Sequence, residues 1–115
     1  MSHREQFIWQ RGIQLAKKCY ELTKHFPNSE IYGLTSQIRR SAVSVPSNIA
    51  EGYGRVSKAE YVRFLQISLG SLRELDTQLI IAKEVKLLAP EMFDSALKEV
   101  DEMQRILVST LQKLE

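Results

Sequence analysis

The chain has 115 residues, of which 43% are apolar and 26% are charged, and we expect a single soluble domain over residues 1–115 with a core of its own. Its net charge of +2 conceals a basic part (residues 1–73, net +6) and an acidic part (residues 74–115, net −4), so the total does not indicate a partner. Cys19 is the only cysteine, which excludes an intrachain disulfide and a cysteine-based metal cluster, and no segment has the roughly 20 apolar residues of a membrane span.

The first predicted helix covers about residues 4–26. Its apolar face consists of residues three and four positions apart: Trp9, Ile13, Ala16, Tyr20 and Thr23. Pro27 ends this helix, because the residue before a proline is driven out of the helical region of backbone conformation.

The second predicted helix covers about residues 34–52 and contains one proline. Its apolar face consists of Leu34, Ile38, Ala42, Val45 and Ile49. Pro46 could begin a new helix, with Val45 as a poor N-cap. It could instead kink a single helix, because proline cannot donate a hydrogen bond to the carbonyl of Ala42. The apolar spacing continues across Pro46, which favours one helix kinked at that residue.

The third predicted helix, about residues 57–88, has the clearest start, because Ser57 and Glu60 form a capping box. Its apolar stripe is Tyr61, Leu65, Ser68, Leu72, Leu75, Leu79 and Ala82. The fourth predicted helix begins at Pro90, and its stripe is Phe93, Leu97, Val100, Gln104, Leu107, Leu111 and Leu114. Four amphipathic segments with short connections predict an all-α, antiparallel, up-down-up-down four-helix bundle.

Helix 2 carries a second stripe of small or apolar residues, formed by Val43, Pro46 and Ala50 beside Arg39. A helix in an isolated bundle needs only one apolar face. We therefore expect Val43, Pro46 and Ala50 to contact another subunit, with a widened core as the alternative. Gly70 in helix 3 also indicates close approach of another backbone, since glycine within a helix costs about 1 kcal/mol relative to alanine.

Three blocks of sequence carry a family resemblance: GLTSQIRR at 33–40, SVPSNIAEG at 44–52 and GSLREL at 70–75. With these blocks, and with Trp9, Tyr20, Phe26 and Pro27 upstream, the chain resembles the four helix bundle protein family. Members of that family include proteins encoded in intervening sequences of bacterial 23S rRNA genes. Ser41, where the family usually has alanine, and Asp76, where it usually has glutamate, are mild departures.

The resemblance implies a left-handed bundle that often assembles as a ring-like homopentamer. A relative, the accessory variability determinant of diversity-generating retroelements, is a basic pentamer that works with a reverse transcriptase and RNA. No biochemical function is established for the family at large. Fold transfers more readily than function between such relatives.

No residue pattern indicates catalysis or metal binding. His3 and His25 are the only histidines, and neither belongs to an HExxH or ExxH motif. Ser95 and Lys98 match the bare SxxK spacing of Ser-Lys enzymes, but a solvated helix face explains them better. We therefore predict a protein that is not an enzyme and has no catalytic residue, metal or cofactor. The N-terminus has no apolar segment of a signal peptide, so we expect a cytoplasmic protein without membrane contact.

The basic residues form the candidate ligand surface. Arg4, Arg11 and Lys18 recur every seven residues along helix 1, and a second group surrounds the junction of helices 2 and 3: Arg39, Arg40, Arg55, Lys58, Arg63 and Arg73. Arginine suits phosphate because its planar guanidinium donates two parallel hydrogen bonds. We therefore predict an oligomeric scaffold that binds RNA or DNA through phosphates, with little sequence reading.

An alternative gives the same residues a role in assembly. Arg39 or Arg73 could pair with Glu51 or Glu74 of a neighbouring subunit. A net charge of +2 is also low for a dedicated nucleic-acid binder. The protein would then be a protein–protein interaction or assembly module with no nucleic-acid role.

Overall fold

The computed structural model describes residues 2–115 and contains four α-helices: α1 (Phe7–Thr23), α2 (Leu34–Tyr53), α3 (Lys58–Glu84) and α4 (Asp94–Leu114). Short 3-10 helices at His3–Glu5, Asn28–Glu30 and Pro90–Phe93 precede α1, α2 and α4. No strand occurs in the described range, so the all-α prediction is confirmed. The bundle is elongated, with dimensions of 43 × 22 × 20 Å.

Neighbouring helices run antiparallel. Between α1 and α2, for example, Gly12 lies beside Pro46 while Tyr20 lies beside Arg39, so the two sequences advance in opposite directions. The same reversed order relates α2 to α3 and α3 to α4. Side chains of α1 and α4 also meet, which closes the bundle. The predicted four-helix bundle is therefore confirmed.

Buried side chains from all four helices form one core. α3 contributes the stripe predicted for it, because Leu65, Leu72, Leu75 and Leu79 are all fully buried. Each of them stabilises the fold by roughly 1.5–3 kcal/mol relative to an exposed position. Ile80, which follows Leu79 of this stripe, is 44% exposed.

The face that α1 buries is rotated from the predicted one. Leu15 and Cys19 are fully buried, whereas Ile13 is half-buried and Tyr20 is exposed. α1 has apolar residues on two adjacent faces, so helical spacing alone does not decide which face meets the core. The second face remains partly open to solvent beside α2.

α2 continues through Pro46 as one helix, which excludes a new helix beginning there. Pro46 is buried, and a Cβ atom on Gly12 of α1 would lie only 3.2 Å from its Cβ. The proline ring therefore fills the space that glycine leaves on the facing helix. The kink at Pro46 and the left-handed crossing stay predictions.

The helix ends also refine the predicted boundaries. α1 begins at Phe7, because Gln6 has an extended backbone. α3 ends before Leu88, because Lys86 has a positive φ of 62° and the Leu87 N–H donates back to the Ala82 carbonyl at 3.1 Å. This pattern is a Schellman helix end. The segment from Pro90 to Phe93 is a 3-10 helix, and α4 starts after it.

Cys19 lies at the centre of the core with no accessible surface. Burial raises the pKa of its thiol to about 12, because the charged thiolate is poorly solvated there. The thiol is therefore protonated at neutral pH.

Candidate nucleic-acid interface

The turn between α2 and α3 holds the end of one helix tightly against the start of the next. A Cβ atom on Gly52 would lie 2.8 Å from the Phe64 Cβ and 3.2 Å from the Tyr61 Cδ1, so this close approach requires glycine. The Ser57 hydroxyl accepts a hydrogen bond from the Glu60 N–H at 3.1 Å and caps α3. Cations from the turn and from the start of α3 thereby lie at one end of the bundle.

Three cations at this turn form a cluster that we name the basic end: Arg55, Lys58 and Arg63. The Arg55 guanidinium lies 4.9 Å from the centre of the Phe64 ring, and the Arg63 guanidinium lies 5.9 Å from it. Such cation–π contacts contribute about 0.5–1 kcal/mol at exposed sites. Arg55 also pairs with exposed Glu51 at 3.0 Å. Within residues 2–115, Lys58 and Arg63 have no carboxylate partner.

A groove of about 480 Å³ opens beside the basic end. Its lining includes Gln6, Tyr53, Arg55, Val56, Lys58 and Tyr61. Gln6 Nε2 donates to the Tyr61 hydroxyl at 3.2 Å, and this bond ties the segment before α1 to α3. The Gln6 Oε1 atom is buried and accepts no hydrogen bond from residues 2–115. Spacing in the sequence gives no sign of this groove, because Gln6 and Tyr61 are 55 positions apart.

Arg4 and Arg73 are both exposed, and neither has a carboxylate partner among the described residues. Arg4 belongs to the first 3-10 helix, two positions before Gln6 and therefore near the same groove. Arg73 lies on the outer surface of α3, away from the turn. Of these two predicted phosphate-binding residues, Arg4 is the one closer in sequence to a residue of the groove, Gln6.

The two arginines of α2 have different surroundings. Arg39 is half-buried, with its guanidinium 4.5 Å from the centre of the Tyr20 ring and its Nε donating to Thr23 Oγ1 at 2.9 Å. These contacts join α2 to α1. Arg40 is exposed beside Glu74 in a groove between α2 and α3. Arg40 is therefore the more accessible cation.

The cations of α1 do not form a continuous free stripe. Arg11 forms ion pairs with Glu99 and Glu102 of α4, the second at 2.8 Å. The hydrogen bond to Glu99 is the main cause of the raised Arg11 pKa. Lys18 Nζ donates to Ser95 Oγ at 2.9 Å. We name these contacts the α1–α4 seam. They give Arg11 a role in helix packing, and its predicted phosphate binding stays a prediction.

The three residues predicted for a subunit interface differ in exposure. Val43 is 42% exposed and Ala50 is half-buried. Pro46 packs against Gly12 inside the protomer, so its predicted contact with another subunit is corrected to a contact with α1. Val43 lines a shallow groove together with Tyr20, which is 41% exposed. An apolar surface therefore remains open between α1 and α2.

Gly70 has an unexpected environment. A Cβ atom placed on it would meet no atom within 4 Å, and the residue is exposed. No backbone from another element of residues 2–115 comes within 4 Å of this position. Ile67 and Ile81 are exposed on the same side of α3, at spacings of three and eleven residues from Gly70. This side of α3 therefore remains open to solvent at Ile67, Gly70 and Ile81.

Neither a metal cluster nor a membrane span is found in the described range. No three His, Cys, Asp or Glu side chains among residues 2–115 come together as metal ligands. No helix in that range is both long and apolar enough to cross a bilayer. Ser95 of the SxxK motif accepts its hydrogen bond from Lys18, and Lys98 is exposed.

The fold and sequence can be compared with known proteins. A Bacteroides thetaiotaomicron protein of unknown function from the S23 ribosomal protein family superimposes with a TM-score of 0.84 at 23% identity, over 90% of this chain and 97% of that chain. No curated protein matches the sequence. The family model for the 23S rRNA-intervening sequence protein matches residues 4–109, which include all of α1, α2, α3 and the basic end. The chain therefore belongs to the 23S rRNA-intervening sequence protein family.

Proposed function

We propose that the protein is a non-enzymatic, oligomeric scaffold that binds RNA or DNA through phosphate groups at the basic end. The supporting observation is the convergence of Arg55, Lys58 and Arg63 at one exposed corner, where Phe64 holds two of the guanidinium groups. Arginine donates paired hydrogen bonds to phosphate, and lysine adds a compact charge. Phosphate contacts give affinity with little dependence on sequence.

Assembly would supply the charge that one protomer lacks. A single chain has a net charge of only +2, but a ring repeats the basic end around its axis and the fields add. The family resemblance suggests a homopentamer, and the N-terminal sequence, which lacks the apolar segment of a signal peptide, suggests the cytoplasm. The exposed surface around Val43 and the open side of α3 at Gly70 are available for such contacts.

A salt titration tests the nucleic-acid role. Binding of labelled generic RNA and DNA should weaken steeply between low and physiological salt, because phosphate contacts release counterions. The double variant Lys58→Ala and Arg63→Ala should weaken binding and lower the salt slope by about one unit for each lost phosphate contact.

Arg105→Ala is the matched control, because Arg105 is an exposed cation of α4 that pairs with Asp101 at 3.1 Å. It should leave affinity and salt slope unchanged. Undetectable or salt-independent binding by the wild-type protein would exclude the proposed function. An equal loss in the control would exclude the basic end as its location.

The second candidate is a protein–protein interaction or assembly module with no nucleic-acid role. The apolar surface between α1 and α2 favours it, since Val43 and Tyr20 are each more than two-fifths exposed. Light scattering should give an oligomer at micromolar concentration, and Val43→Glu should dissociate it into monomers that keep the helical circular dichroism spectrum of the folded protein. A wild-type monomer would exclude assembly, and an intact Val43→Glu oligomer would exclude this surface.

A further inference from the structure

We infer that the groove beside the basic end accepts one unpaired nucleobase, so that the ligand is single-stranded nucleic acid. This inference rests on the proposed function and adds the strandedness of the ligand and the position of one base. The groove, at about 480 Å³, lies within the roughly 300–1,000 Å³ of typical small-molecule sites.

The lining of the groove suits the flat face of a base. Tyr53 and Tyr61 supply aromatic surface, and Val56 supplies an apolar side chain that is fully exposed. Proteins that recognise single strands place unstacked bases against such aromatic side chains. An exposed valine in a turn has no partner within the fold, and a bound base would cover it.

Polar groups in the groove suit the edge of a base. The Tyr61 oxygen accepts from Gln6 Nε2, so the Tyr61 O–H is left to donate. Gln6 Oε1 has no donor among residues 2–115. Reversing the amide would pair Oε1 with the Tyr61 O–H but leave Nε2 unpaired. The Gln6–Tyr61 pair is therefore one partner short in either orientation. With Nε2 facing Tyr61, the Tyr61 O–H is the group that can donate to an acceptor on a base edge.

The phosphate beside such a base would meet the basic end. Arg55 and Lys58 line the same groove as Tyr61. The first N–H groups of a helix have no intrahelical acceptor and favour anions. In α3, Ser57 Oγ accepts only the Glu60 N–H, which leaves those of Lys58 and Ala59 for a ligand. One nucleotide can thus place its base in the groove and its phosphate at the start of α3.

A duplex does not meet these requirements. Its bases are stacked on both faces and paired along their edges, so one base would have to leave the helix before it could enter the groove. A duplex can contact Lys58 and Arg63 through phosphates but cannot reach Tyr61. The groove therefore distinguishes the two forms of nucleic acid.

The test compares Tyr61→Phe with wild type on a labelled single strand and on a duplex of matched charge. Tyr61→Phe retains the ring and removes only the hydroxyl. We expect it to weaken single-strand binding by about three- to tenfold, as for the loss of one hydrogen bond, on RNA and DNA alike. Duplex affinity and both salt slopes should not change. Tyr32→Phe is the control, because Tyr32 is 94% exposed in the connection from α1 to α2.

An abasic strand of the same length provides a second readout. It should bind wild type and Tyr61→Phe equally, because no base reaches the hydroxyl. The inference would be overturned if the wild-type protein bound the single strand and the duplex with equal affinity. It would also be overturned if Tyr61→Phe weakened binding to both by the same factor. Either result would leave phosphate binding intact. Failure of the wild-type protein to bind any of these nucleic acids would overturn the proposed function, and the inference with it.

Discussion

At the basic end, Arg63 lies over an aromatic ring and has no carboxylate partner within residues 2–115. In the α1–α4 seam, Arg11 is held between Glu99 and Glu102. The Arg63 guanidinium keeps its donors available to a ligand, whereas the Arg11 guanidinium uses them inside the fold. The same residue type therefore stays open to solvent in one region and joins two helices in the other.

The difference follows from what faces each cation. α4 lies in the acidic part of the chain, residues 74–115, so cations on the adjacent side of α1 meet carboxylates. The α2–α3 turn points to solvent, and its nearest helix surface is the ring of Phe64. The role of a cation in a helical bundle thus depends on the helix opposite to it. The spacing of residues along its own helix shows only from which side of that helix the cation projects.

The largest expected effect concerns the geometry of the basic end. Gly52→Ala should lower the free energy of unfolding by about 2 kcal/mol, because the new methyl group would overlap Phe64 Cβ. Urea denaturation measures this change. Nucleic-acid affinity should also fall, since Phe64 positions Arg55 and Arg63. An unchanged denaturation midpoint would show that α2 and α3 can separate there at no cost.

The next effect concerns the α1–α4 seam. Arg11→Met should lower the free energy of unfolding by about 1–2 kcal/mol, because Glu99 and Glu102 would lose their shared cation in a half-buried position. Nucleic-acid affinity should stay at the wild-type value. Arg105→Met, which breaks an exposed pair with Asp101, is the control and should cost less than about 0.5 kcal/mol. If Arg11→Met had normal stability but reduced nucleic-acid affinity, Arg11 would belong to the ligand surface and not to the α1–α4 seam.

A smaller effect of opposite sign is expected at Gly70, which contrasts with Gly52. Gly70→Ala should raise the free energy of unfolding of the protomer by about 1 kcal/mol, since its Cβ would meet open space within a helix. Thermal unfolding under monomeric conditions measures it. Destabilisation would mean that another part of the chain approaches α3 at this point.

The smallest effect concerns Asp76, a carboxylate of α3 that faces Asp101 of α4. Burial, together with the nearby Asp101 charge, raises the Asp76 pKa, so the folded protein binds this proton more readily than the unfolded chain. The ionised carboxylate is therefore destabilising at neutral pH. Asp76→Asn should stabilise the protein by on the order of 0.5 kcal/mol at pH 7. The difference should vanish below the unfolded pKa of about 3.9. A difference that does not vary with pH would exclude titration of Asp76 as its cause.

Much of the fold could be predicted from sequence, because its signals are local. The Ser57 cap and the stripe that includes Leu65 and Leu72 depend on residues a few positions apart. The buried face of α1 could not be predicted in the same way. Tyr20 belongs to one of two adjacent apolar faces, and the position of Arg39, which covers its ring, depends on how α2 packs.

The candidate site likewise has some features that local sequence predicts and others that depend on residues far apart in the chain. Arg55, Lys58 and Arg63 could be predicted to share a surface, because a single turn connects them. The Gln6–Tyr61 bond and the Arg11–Glu99 pair join residues 55 and 88 positions apart. Such contacts depend on the arrangement of whole helices, so neither the groove nor the neutralisation of Arg11 has a local signal.

Because Cys19 is buried, the reactivity of its thiol reports when the helix bundle opens. A protonated thiol at the centre of the core reacts with an alkylating reagent only after the helices separate. The alkylation rate at neutral pH therefore measures how often the bundle opens, with no introduced label. A disulfide-linked dimer on a non-reducing gel would likewise identify molecules that had come apart before they were oxidised.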